Sequence, residues 1–436
     1  MLNIIKYVKN DTYNITVINH NDYTYNILSV DHAISSQEVD LSAYGSIMMH
    51  QKAYDTVTSQ KKIKHPNSTV IVTSDNYMNK YSDVLVTDSY VDLSNALSHP
   101  LSSIRLFLDK IELTLPLAVE EVEKLRNSLD KDVKNYKRIK RKKVHNPRGV
   151  KFRNQFNVDK TVSIGESITF SSREYHALLS NVTSVITILT NPISKNIRNV
   201  KVVVNPEKAH PHDMFMTFKR LQQACGDNYQ NVIEQAMITR VDYTFDISDL
   251  PVDILFFCLA KSQYSTTYIS EGGRIESKID GANGGHRINA YDRLNKLNKD
   301  AAIRSDTEAL NQLSTWPITT RFEVTFRPHR DKKLSGLRLK DYPSFGSPLK
   351  GVNIYDGNKL LQLPEFSDNY QQAKYFGVNS WKRNFTGAKK VDIDRKLRKC
   401  MIPINHEVFE KMQSESYKKL FDFLLKPTAH ADFRNK

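Results

Sequence analysis

The chain has 436 residues, 63 of them basic and 48 acidic, and a formal net charge of +15. With 39% apolar and 25% charged residues, its composition excludes a disordered chain and leaves ample length for a hydrophobic core. Three cysteines, Cys225, Cys258 and Cys400, are too few and too scattered for a disulfide framework or a structural zinc site. The longest apolar runs, such as Ile254 to Ala260, fall far short of the ~20 residues that span a bilayer. The opening MLNIIKYVKN is broken by Lys6 and Lys9, so no signal peptide is expected, and the expected compartment is a reducing cytoplasm.

The charge is uneven. Residues 1–100 sum to −3, residues 101–330 to +9 and residues 331–436 to +9. A surplus of this kind favours a polyanionic partner, since each Lys or Arg that meets a phosphate releases a counterion. Residues 1–106 contain short β-prone runs at Tyr13 to Ile18, Ser68 to Thr73 and Val84 to Val91, and predict a β-rich N-terminal domain without a functional signature. Residues 109–115 alternate as a strand, closed by Pro116. Residues 118–129 then predict a helix with Val122, Leu125 and Leu129 on one face.

From Lys131 to Arg153 there are eleven basic residues against one acid, Asp132. The centre of this run is Lys137, Arg138, Lys140, Arg141, Lys142 and Lys143, a solvated loop or a phosphate-tracking arm. Val200 to Val204 is a short strand, and the helix after it places Met214, Phe218, Leu221 and Cys225 on one stripe. Cys258 is expected on a second helix after Pro251, and both cysteines as packing residues. His210 and His212 are expected as a surface pair in a loop. Residues 331–436 predict a basic, mostly helical C-terminal region. There Lys382, Arg383, Lys389 and Lys390, followed by Arg395 to Lys399, form a second positive cluster.

Two segments echo each other. Arg240-Val241-Asp242-Tyr243-Thr244-Phe245-Asp246 and Arg321-Phe322-Glu323-Val324-Thr325-Phe326 share the order basic, apolar, acidic, apolar, Thr, Phe. On strands, Arg240, Asp242, Thr244 and Asp246 share one face, as do Arg321, Glu323 and Thr325. A sheet with one packed and one wet face accounts for the alternation by itself. If the strands are neighbours, however, Asp242 and Glu323 converge, and Mg²⁺ or Mn²⁺ favours such carboxylate oxygens. Asp246 ranks behind them, being about 13 Å from Asp242 along a regular strand. Between the two segments, Gly284 and Gly285 mark a turn, residues 286–291 suit a strand, and a helix is expected from about Asp292. Tyr291 at that strand's end would be placed as a nucleophile, with Arg287 or Arg293 to hold a phosphate. Most of the 21 tyrosines must nevertheless be packing or surface residues.

The order R-x-D-x-T-F, then H-R-(x)3-Y with a basic residue two places on, then R-F-E resembles rolling-circle replication initiators. These are the nicking replication proteins of filamentous phages and the initiators of small staphylococcal-type plasmids. The resemblance covers about residues 107–330. It implies an α+β nicking domain related to the HUH endonucleases, with a central antiparallel sheet flanked by helices. It also implies a divalent metal, Mg²⁺ or Mn²⁺, and Tyr291 as the residue that nicks one DNA strand. Asp242 and Glu323 fall at the metal-site or acid–base carboxylates, Asp246 matches the plasmid members, and Arg287 matches the basic residue before the tyrosine motif. Arg293 stands where plasmid members often carry Lys, and no His-hydrophobic-His metal strand is present. The partners implied are single- and double-stranded origin DNA with a host helicase and polymerase in a bacterial cytoplasm, and a homodimer is left open. The alternative is a non-catalytic DNA-binding protein, an origin-binding regulator or repressor.

Overall fold

In the computed structural model the chain is mixed α+β, a large sheet with helices packed against it. The structure describes residues 3–9, 12–18, 25–29, 62–65, 68–73, 86–135, 139–143, 152–159 and 184–192. From residue 200 it describes all but 261, 271–273, 283–284, 304, 329–335, 345, 430, 432 and 434–436. Strands β1 (Asn3–Lys9), β2 (Thr12–Ile18) and β3 (Tyr25–Ser29) form a separate antiparallel sheet. Next come β4 (Lys62–His65), β5 (Ser68–Thr73), β6 (Phe107–Leu115), β7 (Ile139–Lys143), β8 (Phe152–Asp159), β9 (Ser184–Pro192), β10 (Val200–Val204) and β11 (Met237–Ser248). The rest are β12 (Phe256–Leu259), β13 (Ser265–Ser270), β14 (Ile275–Gly281), β15 (Arg287–Asp292), β16 (Thr319–Phe326) and β17 (Val352–Tyr355). Strands β12 and β17 pair with each other, and the other twelve form one sheet in the order β4-β5-β13-β14-β15-β16-β11-β6-β10-β9-β8-β7. Every pairing in that sheet is antiparallel except β13 with β5.

Alternation along β11 and β16 makes the centre of this sheet two-faced. On one face, Phe245 stacks on Phe322 at 4.9 Å and meets Phe409 of the helix His406–Leu425 at 5.6 Å. Beside them, the Tyr342 hydroxyl donates to that of Tyr243 at 2.9 Å. The helix Pro211–Cys225 follows its apolar stripe, burying Met214, Phe218, Leu221 and Cys225, and Phe218 meets Phe423 edge-on at 5.8 Å. Burying one such ring contributes about 1.5–3 kcal/mol relative to leaving it exposed. The opposite face carries the charged residues.

One core crosses both domain boundaries expected from the sequence. Leu93 and Leu97, before residue 106, and Phe409 and Tyr417, after residue 330, belong to the same apolar cluster as Val241. A second cluster, around Trp381, Phe256, Phe366 and Leu397, packs the short C-terminal helices against β12 and β17.

Three local expectations are corrected. The run Val84 to Val91 is not a strand, for a helix covers Val86–Ser98. Tyr90, Leu93 and Leu97 line its buried side, and this helical spacing overrides the β preference of the individual residues. Cys258 lies on β12 rather than a helix, because Phe256-Phe257-Cys258-Leu259 is too short for a helix and every residue of it is buried. His210 and His212 do lie exposed, but at a helix start. His210 is the N-cap, its ring accepting from the His212 amide at 3.2 Å. No helix among the described residues is long and apolar enough to cross a membrane.

A cavity of about 20 Å³, room for one water, lies between β12, β13, β14 and the helices Tyr370–Phe376 and Val378–Lys382. Asp280 and Lys278 line it. Burial pushes the Asp280 carboxyl up to about 7 against the pull of hydrogen bonds from Ser262 and the backbone. The folded state therefore keeps a proton that the unfolded chain releases above its ordinary carboxylate pKa. Asp280 costs stability as pH rises through that window, and the full cost stands above pH 7. Asp280→Asn should raise the unfolding free energy at pH 8 by up to about 4 kcal/mol and change it little at pH 4. Denaturant melts of variant and wild type at the two pH values check this, and the comparison cancels the contribution of Lys278, which burial pulls down to about 7.

Candidate active site

The pairing of β15, β16, β11 and β6 sets the polar face out as rows. Arg287 lies level with Thr325 and Asp242, Asn289 with Glu323 and Thr244, and Tyr291 with Arg321 and Asp246. Asp242 and Glu323 are therefore diagonal neighbours on adjacent strands, as the sequence pattern requires. Where β14 meets β15, Gly281 pairs with Arg287. Gly281 ends β14 with φ +109°, and a Cβ there would collide with the His286 carbonyl oxygen and Arg287 Cα.

A third acid joins them from a β-bulge. Asp242 pairs with Lys110, but the next residue, Tyr243, pairs with Leu108, which leaves Asp109 as the extra residue. The extra residue breaks the alternation of β6, so Asp109 reaches the polar face that Glu112, level with Arg240, also faces. Carboxylate oxygens of Asp109, Asp242 and Glu323 all lie within 4.8 Å of one another.

Two cations balance part of this charge. Lys208, from the loop after β10, sits 2.7 Å from Asp109. Arg240 donates from Nε to Asp242 Oδ1 at 2.7 Å, and its Nη2 lies 2.5 Å from Asp242 Oδ2 and 3.9 Å from Glu323. Burial pushes the Asp109 carboxyl up, but Lys208, with help from Arg321 and Lys110, outweighs it and holds the group below the ordinary range. Glu323 has no such close partner. Burial, then the like charges of Asp242 and Asp109, push its carboxyl up.

Buried polar atoms without a hydrogen-bond partner gather here. Of ten among the described residues, five lie here: Thr244 Oγ1, Thr325 Oγ1 and Arg327 Nε have no partner, while Asp242 Oδ2 and Glu207 Oε2 make only ion-pair contacts, with Arg240 at 2.5 Å and Arg321 at 3.7 Å. All five belong to this face or to the charged groups around it. Buried polar groups are normally paired, so the unsatisfied hydroxyls and guanidinium nitrogen leave hydrogen-bonding capacity for a polar ligand on this face. The donor set fits a hard divalent cation, which takes carboxylate oxygens and would supply the positive charge that Glu323 lacks. Asp109, Asp242 and Glu323 would hold it.

Tyr291, the penultimate residue of β15, lies on the same face and is 9% exposed. Lys296, on the helix Arg293–Ile303, lies over the ring at 4.7 Å from its centroid. Burial raises the phenol pKa. Arg321 and Arg293 pull it back, Glu323 adds to the rise, and Lys208 opposes it, with the balance still upward. Asp292 fixes the turn after Tyr291. It accepts from the Asn295 amide at 2.7 Å, capping the helix, and contacts Arg274. Asp292→Ala should therefore lower stability by about 1–2 kcal/mol, measured by thermal or urea melts.

The remaining site residues named from the sequence divide clearly. Asp246 is not in the carboxylate cluster. Arg321 grips both of its oxygens, at 2.6 and 2.7 Å, two rows away from Asp242. Arg287 stands four residues from Tyr291, about 13 Å along the strand, so it serves the far end of the site. Lys137 and Arg138 lie outside the described residues. Lys140, Arg141, Lys142 and Lys143 lie in β7, the last strand of the sheet, with only their backbone described. In the second basic cluster, Lys382 pairs with Asp394 at 2.5 Å and Arg383 donates to the Gln263 carbonyl at 2.7 Å. Lys389 lies over Phe385 at 5.4 Å, and Lys389 and Lys390 are exposed.

The sequence reading missed Asp109, Lys208, Lys296 and Arg327. Only Asp109 carried a signal, an acid opening a strand that also bears Glu112. Comparison with protein-family models and with curated proteins gives no match.

Proposed function

We propose that the chain is a metal-dependent DNA nicking and closing enzyme, a replication initiator of the rolling-circle type with an HUH-like sheet. The observation that carries the reading is one face of one sheet holding three clustered carboxylates, a tyrosine diagonal to one of them, and cations on either side. The motif order that resembles such initiators falls on three of the strands that build this face.

In this reading the Tyr291 oxygen attacks a backbone phosphorus of a single DNA strand. The bond to the 3′ oxygen breaks, a 5′-phosphotyrosine forms, and the freed 3′-hydroxyl primes synthesis. Attack by the 3′-hydroxyl of the displaced strand on the phosphotyrosine later rejoins the DNA. Arg321 and Arg293 lower the cost of the phenolate, and Lys208 and Lys296 meet the phosphate charge. When bound, a divalent cation polarises the phosphate oxygen and offsets the charge of Glu323 beside the phenol.

The experiment is incubation with supercoiled origin DNA and Mn²⁺, then with EDTA. The reading expects nicked circles that carry protein only in the presence of metal. DNA binding without nicking under any divalent cation would favour the alternative, an origin-binding regulator, which the basic surplus supports equally well.

A further inference from the structure

The far end of the same face holds more positive charge than its own acids absorb. β16 ends at Phe326 opposite Val241, so Arg327 comes level with Arg240. Arg287 is one row away, level with Thr325. Three acids face this group, Glu323 the most loosely, 3.9 Å from Arg240. Glu112 is held by Lys201 at 2.5 Å and lies 3.8 Å from Arg240, and Asp242 is held by Arg240. Arg327 Nε has no hydrogen-bond partner among the described residues, and neither has Thr325 Oγ1. Burial and then the charge of Arg240 lower the Arg327 pKa against the opposing pull of Glu112 and Asp242, and Arg287 adds to the lowering.

The Arg327 Nε–H is left without a partner beside two other guanidinium groups, and an anion entering there would take it up together with the Thr325 hydroxyl. A phosphodiester offers two equivalent oxygens that match the guanidinium fork. The position argues for a phosphodiester of the substrate strand over a free anion. Arg287 and Tyr291 share β15 about 13 Å apart, with the carboxylates between them. A strand laid from the tyrosine across the acids ends at the arginines.

We propose that Arg327, with Arg287 and the Thr325 hydroxyl, forms a second phosphate subsite that grips the single strand beyond the scissile phosphodiester and sets its direction across the face. The subsite rests on the nicking reading for its substrate, yet its test needs no cleavage. Binding of a fluorescein-labelled, mixed-sequence 20-nucleotide single strand is followed by anisotropy in EDTA over a range of salt. Each phosphate contact contributes roughly 0.7 to the slope of log affinity against log salt.

Arg327→Gln should therefore reduce the slope by about 0.7. Arg327→Lys should keep the slope but bind several-fold more weakly at every salt, because a point charge replaces a fork. Slopes and affinities equal to wild type in both variants would overturn the subsite. If Arg327→Gln fails to fold, Arg327→Lys decides alone, with unchanged affinity as the contrary result. Wild-type protein that nicks DNA while the variants bind as wild type loses the subsite only. The expected slope change in Arg327→Gln, with a wild-type protein that never nicks, loses the tyrosine chemistry only.

Discussion

Tyr291→Phe should abolish formation of the protein–DNA adduct and reduce nicking by roughly a thousandfold or more, the scale expected when a covalent nucleophile is removed. Single-strand binding should stay within about twofold of wild type. The substitution removes one oxygen from a ring that lies under Lys296 on the polar face, and the phenylalanine ring keeps the same cation contact. Phosphate contacts, which dominate affinity for nucleic acid, are untouched. Nicking assays on supercoiled DNA beside anisotropy titrations separate the two effects. Equal loss of both would place Tyr291 in packing instead of chemistry.

Glu323→Gln should have opposite effects with and without metal. In EDTA the variant should match or exceed wild type in stability, since it removes a like charge from beside Asp242 and Asp109. Arg240 keeps its close partner in Asp242, so no buried charge is stranded. In Mn²⁺ at a hundred times its dissociation constant, wild type should gain about 2.7 kcal/mol by mass action. The variant should gain far less and lose nicking. Melts in EDTA and in graded Mn²⁺ read both signs. A metal-induced shift that survives in Glu323→Gln would place the cation elsewhere. Asp242→Asn is the poorer probe, because it leaves the Arg240 charge without its partner in a buried setting.

The centre of the fold was legible because two strands repeat the same alternation. Val241, Tyr243 and Phe245 on one side, with Arg240, Asp242 and Thr244 on the other, specify a strand with a packed and a polar face. The partner segment from Arg321 to Phe326 specifies its neighbour. What alternation cannot specify is a bulge. The side chain of Asp109 reaches the site because one residue of β6 is extra, and no composition or spacing announces that. Lys208 comes from a loop whose path depends on the packing of the helix after it, so it too was invisible.

Asp246 shows the reverse error. Its position on the correct face was legible, but its capture by Arg321, directly opposite on the neighbouring strand, was not. Short apolar runs misled at both ends. Val86 to Val91 has β-prone residues in a helix, and Phe256 to Leu259 looks helical in content but is a four-residue strand. In each case burial against the core, not local preference, decided the outcome.

Peptide mapping of the DNA adduct tests the central claim most directly. After reaction with supercoiled origin DNA and Mn²⁺, nuclease and protease digestion should leave a nucleotide on the peptide that contains Tyr291. An adduct on another residue such as the exposed Tyr264, or nicked DNA that carries no protein, would contradict the account.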